Sequence, residues 1–415
     1  MSSADAYCVE RLRRLLDITR QMAGTTDLDE LLRTIVAAAV EVLACERATI
    51  FLYDKARNEL YSRVATGIRS LRVPADRGIA GAAAQQRVVV NVPDAYADAR
   101  FNPAIDRQTG FRTRNLLAIP LENLTGELVG VLQTLNKRDG AFTPEDEELA
   151  RTLAAQAGVA LHRQALLDEY AQKQRMARDL ELARQIQQAL FPKTNPVVAG
   201  YEIAGWNRSA DETGGDCYDF ISLAEGRQAL LLADATGHGI GAALVIAQCR
   251  SLLRALLSMT DDLARIAARV NEILSEDLTD DRFVTAFVGL LDPRRHRLDY
   301  LSAGQGPLLF VHAGGVEERR ATGLPLAVVA DMPFDVEAFE FAPGDTVALL
   351  TDGFFETTNS AGEQYGVERV AQVLRARAGL PLDALIRDLN DDISRFSGNA
   401  PPADDLTAVF VRRRD

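Results

Sequence analysis

Cysteine is sparse in this chain. Cys8, Cys45, Cys217 and Cys249 are the only four among 415 residues. They form no CxxC pair, which argues against a disulfide framework. Basic charge is also short: Lys and Arg number 46 against 59 Asp and Glu, a net charge of −13. A general nucleic-acid binder needs a basic face against phosphate, and an anionic membrane surface selects for one too. Neither is an expected partner. No apolar run reaches the roughly 18 residues of a membrane span. Met1 to Glu10 holds no apolar signal core, so a cytoplasmic protein is the expectation. The GxxxxGK[ST] phosphate loop is absent as well. What remains is ordinary globular material: 47% of the residues are apolar, and the length suggests two to three domains.

The first half reads as an α+β unit. Leu12, Leu15, Leu16 and Met22 recur at helical spacing over 7–22. Thr25 to Glu30 supplies cap residues and early acidic charge for a helix from Leu28 to Leu43. Strand-like runs follow at 48–53, 60–65, 88–92, 115–121 and 128–135, with a glycine-punctuated stretch around Gly78 and Gly81. Pro144 opens the next helix. This pattern predicts a five- or six-stranded antiparallel sheet with helices at both ends. Residues 163–189 then contain no proline or glycine. Met176, Leu180, Ala183, Ile186 and Leu190 make one apolar stripe, and charge dominates Asp168 to Asp179. A helix of this kind is usually a linker or a dimeric coiled coil. It ends at Phe191-Pro192.

The second half carries four acidic motifs. They are Gly214-Gly215-Asp216, Asp234-Ala235-Thr236-Gly237-His238-Gly239, Thr351-Asp352-Gly353 and Asp404-Asp405-Leu406-Thr407. Each places an aspartate at the edge of a strand-like run. Clustered carboxylates are costly unless a cation neutralises them. Oxygen donors without Cys or His favour magnesium or manganese over zinc. His238 reads either as a neighbour of that site or as a brace for its glycine-rich turn. Strands are expected at 201–206, 218–223, 228–233, 283–291, 297–303, 308–312, 335–341, 346–351 and 406–412. Helices are expected at 240–259, 262–276, 367–376 and 382–396. Two sheets between helix pairs is the economical packing.

Three formal motif matches have different weights. Cys8 and Arg14 have the spacing of a tyrosine-phosphatase loop, but the residues between them include no glycine to cradle a phosphate. Gly214-Gly215-Asp216 is similar to a diguanylate cyclase signature, but Cys217-Tyr218 replaces its acidic-aromatic ending. The third match is broader. Asn115 to Leu121, Gly130 to Lys137 and Phe142 to Asp146 resemble a GAF domain, a small-molecule sensor fold, over 25–165. Within it, Asn136, Lys137, Phe142, Asp146 and Glu147 resemble the signature of cyclic-nucleotide-binding GAF domains. The Lys137–Asp146 pair then reads either as part of a cyclic-nucleotide site or as an ion pair that only braces the fold.

The segment 196–415 resembles the PPM family of metal-dependent protein phosphatases, in the branch of stage II sporulation E-like regulators. Besides the four acidic motifs, Phe283 to Phe287 and Ala303-Gly304-Gln305-Gly306-Pro307 match in order and spacing. The resemblance implies an α-β-β-α sandwich and two Mn or Mg ions. It implies Asp234 as the bridging ligand with the Ala235 carbonyl, Asp216 on one ion, and Asp352 and Asp404 on the other. Asp405 and Gly215 would stand behind these ligands. It also implies hydrolysis of phosphoserine or phosphothreonine on a small regulatory protein, such as an anti-sigma-factor antagonist. Ala183 to Pro192 resembles the switch segment of these regulators. The expected organisation is therefore a helix at 1–24, a GAF sensor at 25–165, a helical and dimerising linker at 166–195, and the phosphatase at 196–415. Thr236 and Gln305 stand where relatives carry histidine, and Thr213 where the branch often has valine, which leaves the leaving-group acid open. Two rival readings remain: a catalytically silent scaffold, and an interaction protein gated by its GAF ligand.

Overall fold

A computed structural model describes residue 14 and residues 16–64, 71–279 and 281–414. Cys8 and half of the helix expected at 7–22 lie outside them; Arg14 and residues 16–24 are helical. The chain divides into two compact units, Met1–Gln174 and Arg175–Asp415.

In the first unit, helix α1 (Leu28–Val42) begins at Asp27, whose side chain accepts from the Glu30 backbone N–H at 2.8 Å. That bond satisfies one otherwise orphaned donor of the first turn. Six strands follow: β1 (Cys45–Asp54), β2 (Glu59–Tyr61), β3 (Arg72–Pro74), β4 (Val90–Val92), β5 (Leu116–Glu122) and β6 (Leu128–Lys137). They form one sheet in the order β3-β2-β1-β6-β5-β4, antiparallel throughout. Strand alternation splits the apolar residues between two cores. Ile50 and Leu132 face α1 and the start of the long helix, while Phe51 and Val131 face helix α2 (Gly78–Gln86). Helix α2 occupies the glycine-punctuated stretch. A side chain at Gly81 would bring its Cβ to 3.0 Å from the Ala75 carbonyl, so the glycine permits close packing. Helix α3 (Ala104–Thr109) and strand β3 are each too short to show a period.

Helix α4 (Pro144–Gln188) runs unbroken for 45 residues. The second unit contains two five-stranded sheets. One has the order β14-β11-β10-β9-β8: β8 (Asp216–Ser222), β9 (Gln228–Ala235), β10 (Val284–Asp292), β11 (Arg297–Ala303) and β14 (Glu337–Glu340). The other has the order β13-β12-β15-β16-β7: β7 (Tyr201–Arg208), β12 (Leu308–His312), β13 (Gly315–Arg319), β15 (Thr346–Leu350) and β16 (Leu406–Arg413). Leu230, Phe287, Tyr300, Phe310, Val347 and Val409 fill the layer between the sheets. Helices α5 (Ile240–Leu257) and α6 (Leu263–Asp277) cover the first sheet. Helices α8 (Gly366–Ala376) and α9 (Leu382–Phe396) cover the second, with a four-residue helix α7 (Gly353–Glu356) between β15 and α8. The result is an α-β-β-α sandwich. Strand β13 gave no sequence signal because it is an edge strand with exposed Glu317 and Glu318 and no apolar alternation.

Helix α5 is long and apolar enough to pass a length-and-composition test for a membrane span. Here its apolar face, including Val245, Ile246, Cys249 and Leu253, packs on the first sheet. Arg250 and Arg254 on the same helix pair with the buried Asp219 of β8.

Candidate active site

The two central sheets bring the acidic motifs to one end of the sandwich. Asp216 is the first residue of β8 and lies directly opposite Asp234 of β9. Asp352 lies two residues beyond β15 and Asp404 two residues before β16; these two strands are hydrogen-bonded neighbours.

Asp216 is almost fully buried, and both sheets hold it. Oδ2 accepts from Thr351 Oγ1 at 2.8 Å and from Thr407 Oγ1 at 2.6 Å. Thr407 Oγ1 in turn accepts from Asn207 Nδ2. The Asp216 backbone N–H donates to Asp405 Oδ2, and the Ala210 N–H donates to Asp405 Oδ1 at 2.7 Å. Asp405 is thus occupied in fixing the loop before β8. Asp404 is exposed at the rim, and its Oδ1 accepts from the Asp405 N–H. The glycines of the first motif permit this approach. Any Cβ at Gly214 would strike the Asp405 carboxylate, and one at Gly215 would come to 2.6 Å from the Ala235 carbonyl.

The cluster crowds carboxyl groups together without a basic partner among the described residues. Among the described residues no Lys or Arg forms an ion pair with Asp216, Asp234, Asp352, Asp404 or Asp405. Burial, then repulsion from Asp352 and Asp404, pushes the Asp234 carboxyl up to about 8. Burial raises Asp216 well above the carboxylate range, with Asp234 and Asp405 adding to it and the two threonines opposing it. Asp352 and Asp405 are raised too, chiefly by burial. An all-oxygen donor set whose ionisation is opposed by burial and mutual repulsion fits hard divalent cations. The fit lies in donor chemistry and charge: among the described residues no three Asp, Glu, His or Cys side chains already stand in ligand geometry about one point. Rotation of the carboxylates would have to close the set.

Several residues near the acids have roles that sequence patterns did not show. Gln187, in the last turn of α4, is buried and pairs with both peptide groups of Gly214, at 2.6 and 3.0 Å. It sat in view in the switch-like segment, but its partner lies 27 residues away. Gln305 accepts from Thr285 and donates to the Leu350 carbonyl. The Thr236 hydroxyl is engaged with the Phe283 backbone, which ties the loop after β9 to β10. His238 is exposed, and its Nδ1 lies 2.9 Å from Asp211 Oδ2. That contact holds its turn to the loop before β8. Thr213 is buried, with no hydrogen-bond partner for its hydroxyl among the described residues.

In the first unit the signature residues gather at the junction of β6 and α4. Lys137 Nζ meets Asp146 Oδ1 at 2.7 Å and also donates to the Leu43 carbonyl. The Asn136 side chain binds the Arg114 N–H and the Arg112 carbonyl. Phe142 is in the core, and Glu147 accepts from Asn91. None of the five lines the cavity on the other side of the sheet. That cavity, of about 90 Å³, is bordered by Arg47, Phe101, Asp106, Phe111, Thr113 and Gln133. Asp106 in its wall is buried and accepts from Thr113 and Tyr96, while the Arg47 guanidinium sits 3.9 Å over the Phe111 ring.

Residues 224–414 match the family model for stage II sporulation protein E (SpoIIE), and residues 27–161 match that for the GAF domain. The chain carries a GAF domain followed by a SpoIIE-family domain. The SpoIIE match begins downstream of Asp216, so the place of that residue rests on the strand pairing and hydrogen bonds above. The solved SiaA-PP2C domain of Pseudomonas aeruginosa is similar over 58% of this chain and 98% of its own, at 24% identity and a TM-score of 0.51. This likeness shows the shared PP2C-type fold. Protein IcfG of Synechocystis is 25% identical over 263 residues, which is 57% of this chain and 41% of that protein. A probable 3',5'-cyclic phosphodiesterase of Caenorhabditis elegans is 31% identical over 170 residues, 37% of this chain and 23% of that protein. The chain spans less than half the length of these two curated relatives.

Proposed function

We propose that this chain is a signal-regulated protein serine/threonine phosphatase, a metal-dependent phosphoric monoester hydrolase. The observation that carries the reading is the Asp216–Asp234 pair, with Asp216 held by two threonines of the facing sheet, beside Asp352 and Asp404 and without a basic partner among the described residues. Asp234, with the Ala235 carbonyl, would bridge two Mn or Mg ions. Asp216 would serve one ion, and Asp352 and Asp404 the other. When bound, two such ions activate a water for in-line attack on phosphorus and neutralise the phosphoryl oxygens. The chain's own residues do the rest. Thr351 and Thr407 hold the Asp216 carboxylate in place, and Asp405 with Gly214 and Gly215 brings the loop before β8 close enough to reach it. Asp404, exposed at the rim, faces the side from which a phosphoprotein would enter.

The substrate class is a small regulatory phosphoprotein, such as an anti-sigma-factor antagonist, and the setting is cytoplasmic. A homodimer through α4 is part of the reading, supported by the exposed Tyr170, Met176, Leu182 and Ile186 along that helix. A cyclic nucleotide is the proposed GAF ligand, supported by the relative named as a cyclic phosphodiesterase. The 90 Å³ cavity is far below the roughly 300 Å³ at which small-molecule pockets begin, so a ligand that bound there would have to open it. The silent-scaffold reading draws on one observation, that the acids are not yet in ligand geometry.

Purified full-length protein with manganese decides between the two. Phosphate release from a phosphoserine protein or p-nitrophenyl phosphate, lost in Asp234→Asn and in EDTA, supports the phosphatase. Release that persists in the variant or in EDTA overturns the mechanism, and no release with any of several divalent metals and phosphoproteins favours the scaffold.

A further inference from the structure

Gln305 joins two strands that belong to different sheets. It lies in the turn after β11 and is 3% exposed. Both ends of its amide are used. The Thr285 hydroxyl donates to Oε1 at 2.9 Å, and Nε2 donates to the Leu350 carbonyl at 2.9 Å. The Ser302 hydroxyl donates to the Gln305 carbonyl and fixes the turn itself.

The partners make this contact informative. Thr285 on β10 lies directly opposite Asp234 on β9. Residues opposed in an antiparallel pair project from the same face, so the Thr285 hydroxyl is on the Asp234 side of the sheet. Leu350 is the last residue of β15, two positions before Asp352. One amide therefore spans from the neighbour of Asp234 to the strand that delivers Asp352. Those two acids repel each other, and Asp352 is the strongest of the charges acting on Asp234. A crosslink at this point has to hold the sheet ends together without joining the charge balance. A lysine or arginine would compete for the carboxylates, and a further acid would add to the repulsion. A buried neutral amide, satisfied at donor and acceptor, does neither.

We propose that Gln305 is a positioning residue: its amide sets the spacing between the Asp234 and Asp352 edges of the site, and through that spacing the divalent-cation affinity and the turnover. It touches neither substrate nor cation. The proposal rests on the phosphatase reading above.

The test uses the full chain and manganese as the probe. Free Mn²⁺ is followed by electron paramagnetic resonance during titration, and kcat and KM are measured with p-nitrophenyl phosphate. Gln305→Leu removes both hydrogen bonds at similar volume. It is expected to weaken manganese binding about tenfold, the usual scale for leaving buried partners unsatisfied, and to lower kcat while KM stays unchanged. Thr285→Val removes one arm and is expected to give a smaller loss. The double variant is expected to be no worse than Gln305→Leu alone, because both changes break one connection. Should Gln305→Leu fail to fold, Thr285→Val at its partly exposed site carries the test alone, with weaker manganese binding expected. Wild-type manganese affinity in the variants, or fully additive losses, overturns the positioning role while leaving the phosphatase reading intact. A wild-type protein that neither binds manganese nor turns over removes both.

Discussion

The Thr407 hydroxyl donates a 2.6 Å hydrogen bond to the Asp216 carboxylate, although the two residues belong to different sheets and lie 191 positions apart. Thr351 reaches the same oxygen from the neighbouring strand. Asp216 is thus held by hydroxyls from the facing sheet, not by opposite charge. Thr407→Val keeps the shape and removes the donor, and it also strips Asn207 of its acceptor. The expected cost is about 1–3 kcal/mol of stability, together with weaker manganese binding and slower turnover. Thr407→Ser should restore most of both. Chemical denaturation and a manganese titration check this, and a Thr407→Val protein with wild-type metal affinity would show that the hydroxyl is dispensable.

A second buried contact ties α5 to the strand that starts with Asp216. Asp219 on β8 is 2% exposed and pairs with Arg250 at 2.9 Å and Arg254 at 2.5 Å. Removing one member of a buried pair leaves charge uncompensated and typically costs about 3–5 kcal/mol. Asp219→Asn keeps the volume and one acceptor, so it should fall toward the low end of that range. Arg254 is half-exposed, and Arg254→Gln should cost under about 1 kcal/mol. Urea melts that placed the two variants level would contradict this account.

Much of this was legible in the sequence. The four acidic motifs each coincide with a strand edge, and apolar runs marked most strands of both sheets. The order of the strands was not legible, because pairing such as β15 with β16 joins segments separated by three helices. Nor were the supports. Thr351 and Thr407 belong to the acidic motifs, but a threonine near an aspartate carries no sign of which carboxylate it will reach. Gln187 and Gln305 look like ordinary polar residues until the fold places them on Gly214 and Leu350. Short elements such as β3 and α7 escaped because three or four residues hold no period.

The GAF signature residues make a third prediction. Lys137 and Asp146 are 11% and 5% exposed in their side chains and pair at 2.7 Å. Asp146 also accepts from the Thr143 N–H at the start of α4. Asp146→Asn should destabilise the first unit by about 3 kcal/mol or more, seen as an earlier unfolding transition in calorimetry of the full chain. Any cyclic-nucleotide affinity should change less than in Arg47→Ala, since Arg47 borders the cavity and Asp146 does not. If Asp146→Asn abolished nucleotide binding while the transition stayed in place, the residue would belong to the ligand site.

The pH dependence follows from Asp234. Its carboxyl titrates near 8 in the folded, metal-free chain, against about 3.8 when unfolded. Between those values the native state holds a proton that the unfolded state has released. Stability in EDTA must therefore fall as pH rises from about 4 to 8, by up to about 1.4 kcal/mol per pH unit for one group. Below the unfolded value the contribution is complete, and above 8 it is gone. The raised Asp216, Asp352 and Asp405 act in the same direction. Asp234→Asn removes one charge from the cluster, so the metal-free variant should be more stable than wild type at pH 8 and close to it at pH 5. Cations would require the ionised form, so their binding should release protons at pH 7 and tighten as pH rises toward 8. Calorimetric titration of manganese in buffers of different ionisation enthalpy measures that release. A wild-type protein that binds manganese at pH 7 without releasing protons, and whose EDTA melting temperature does not fall between pH 5 and pH 8, would show that Asp234 is already ionised in the folded state.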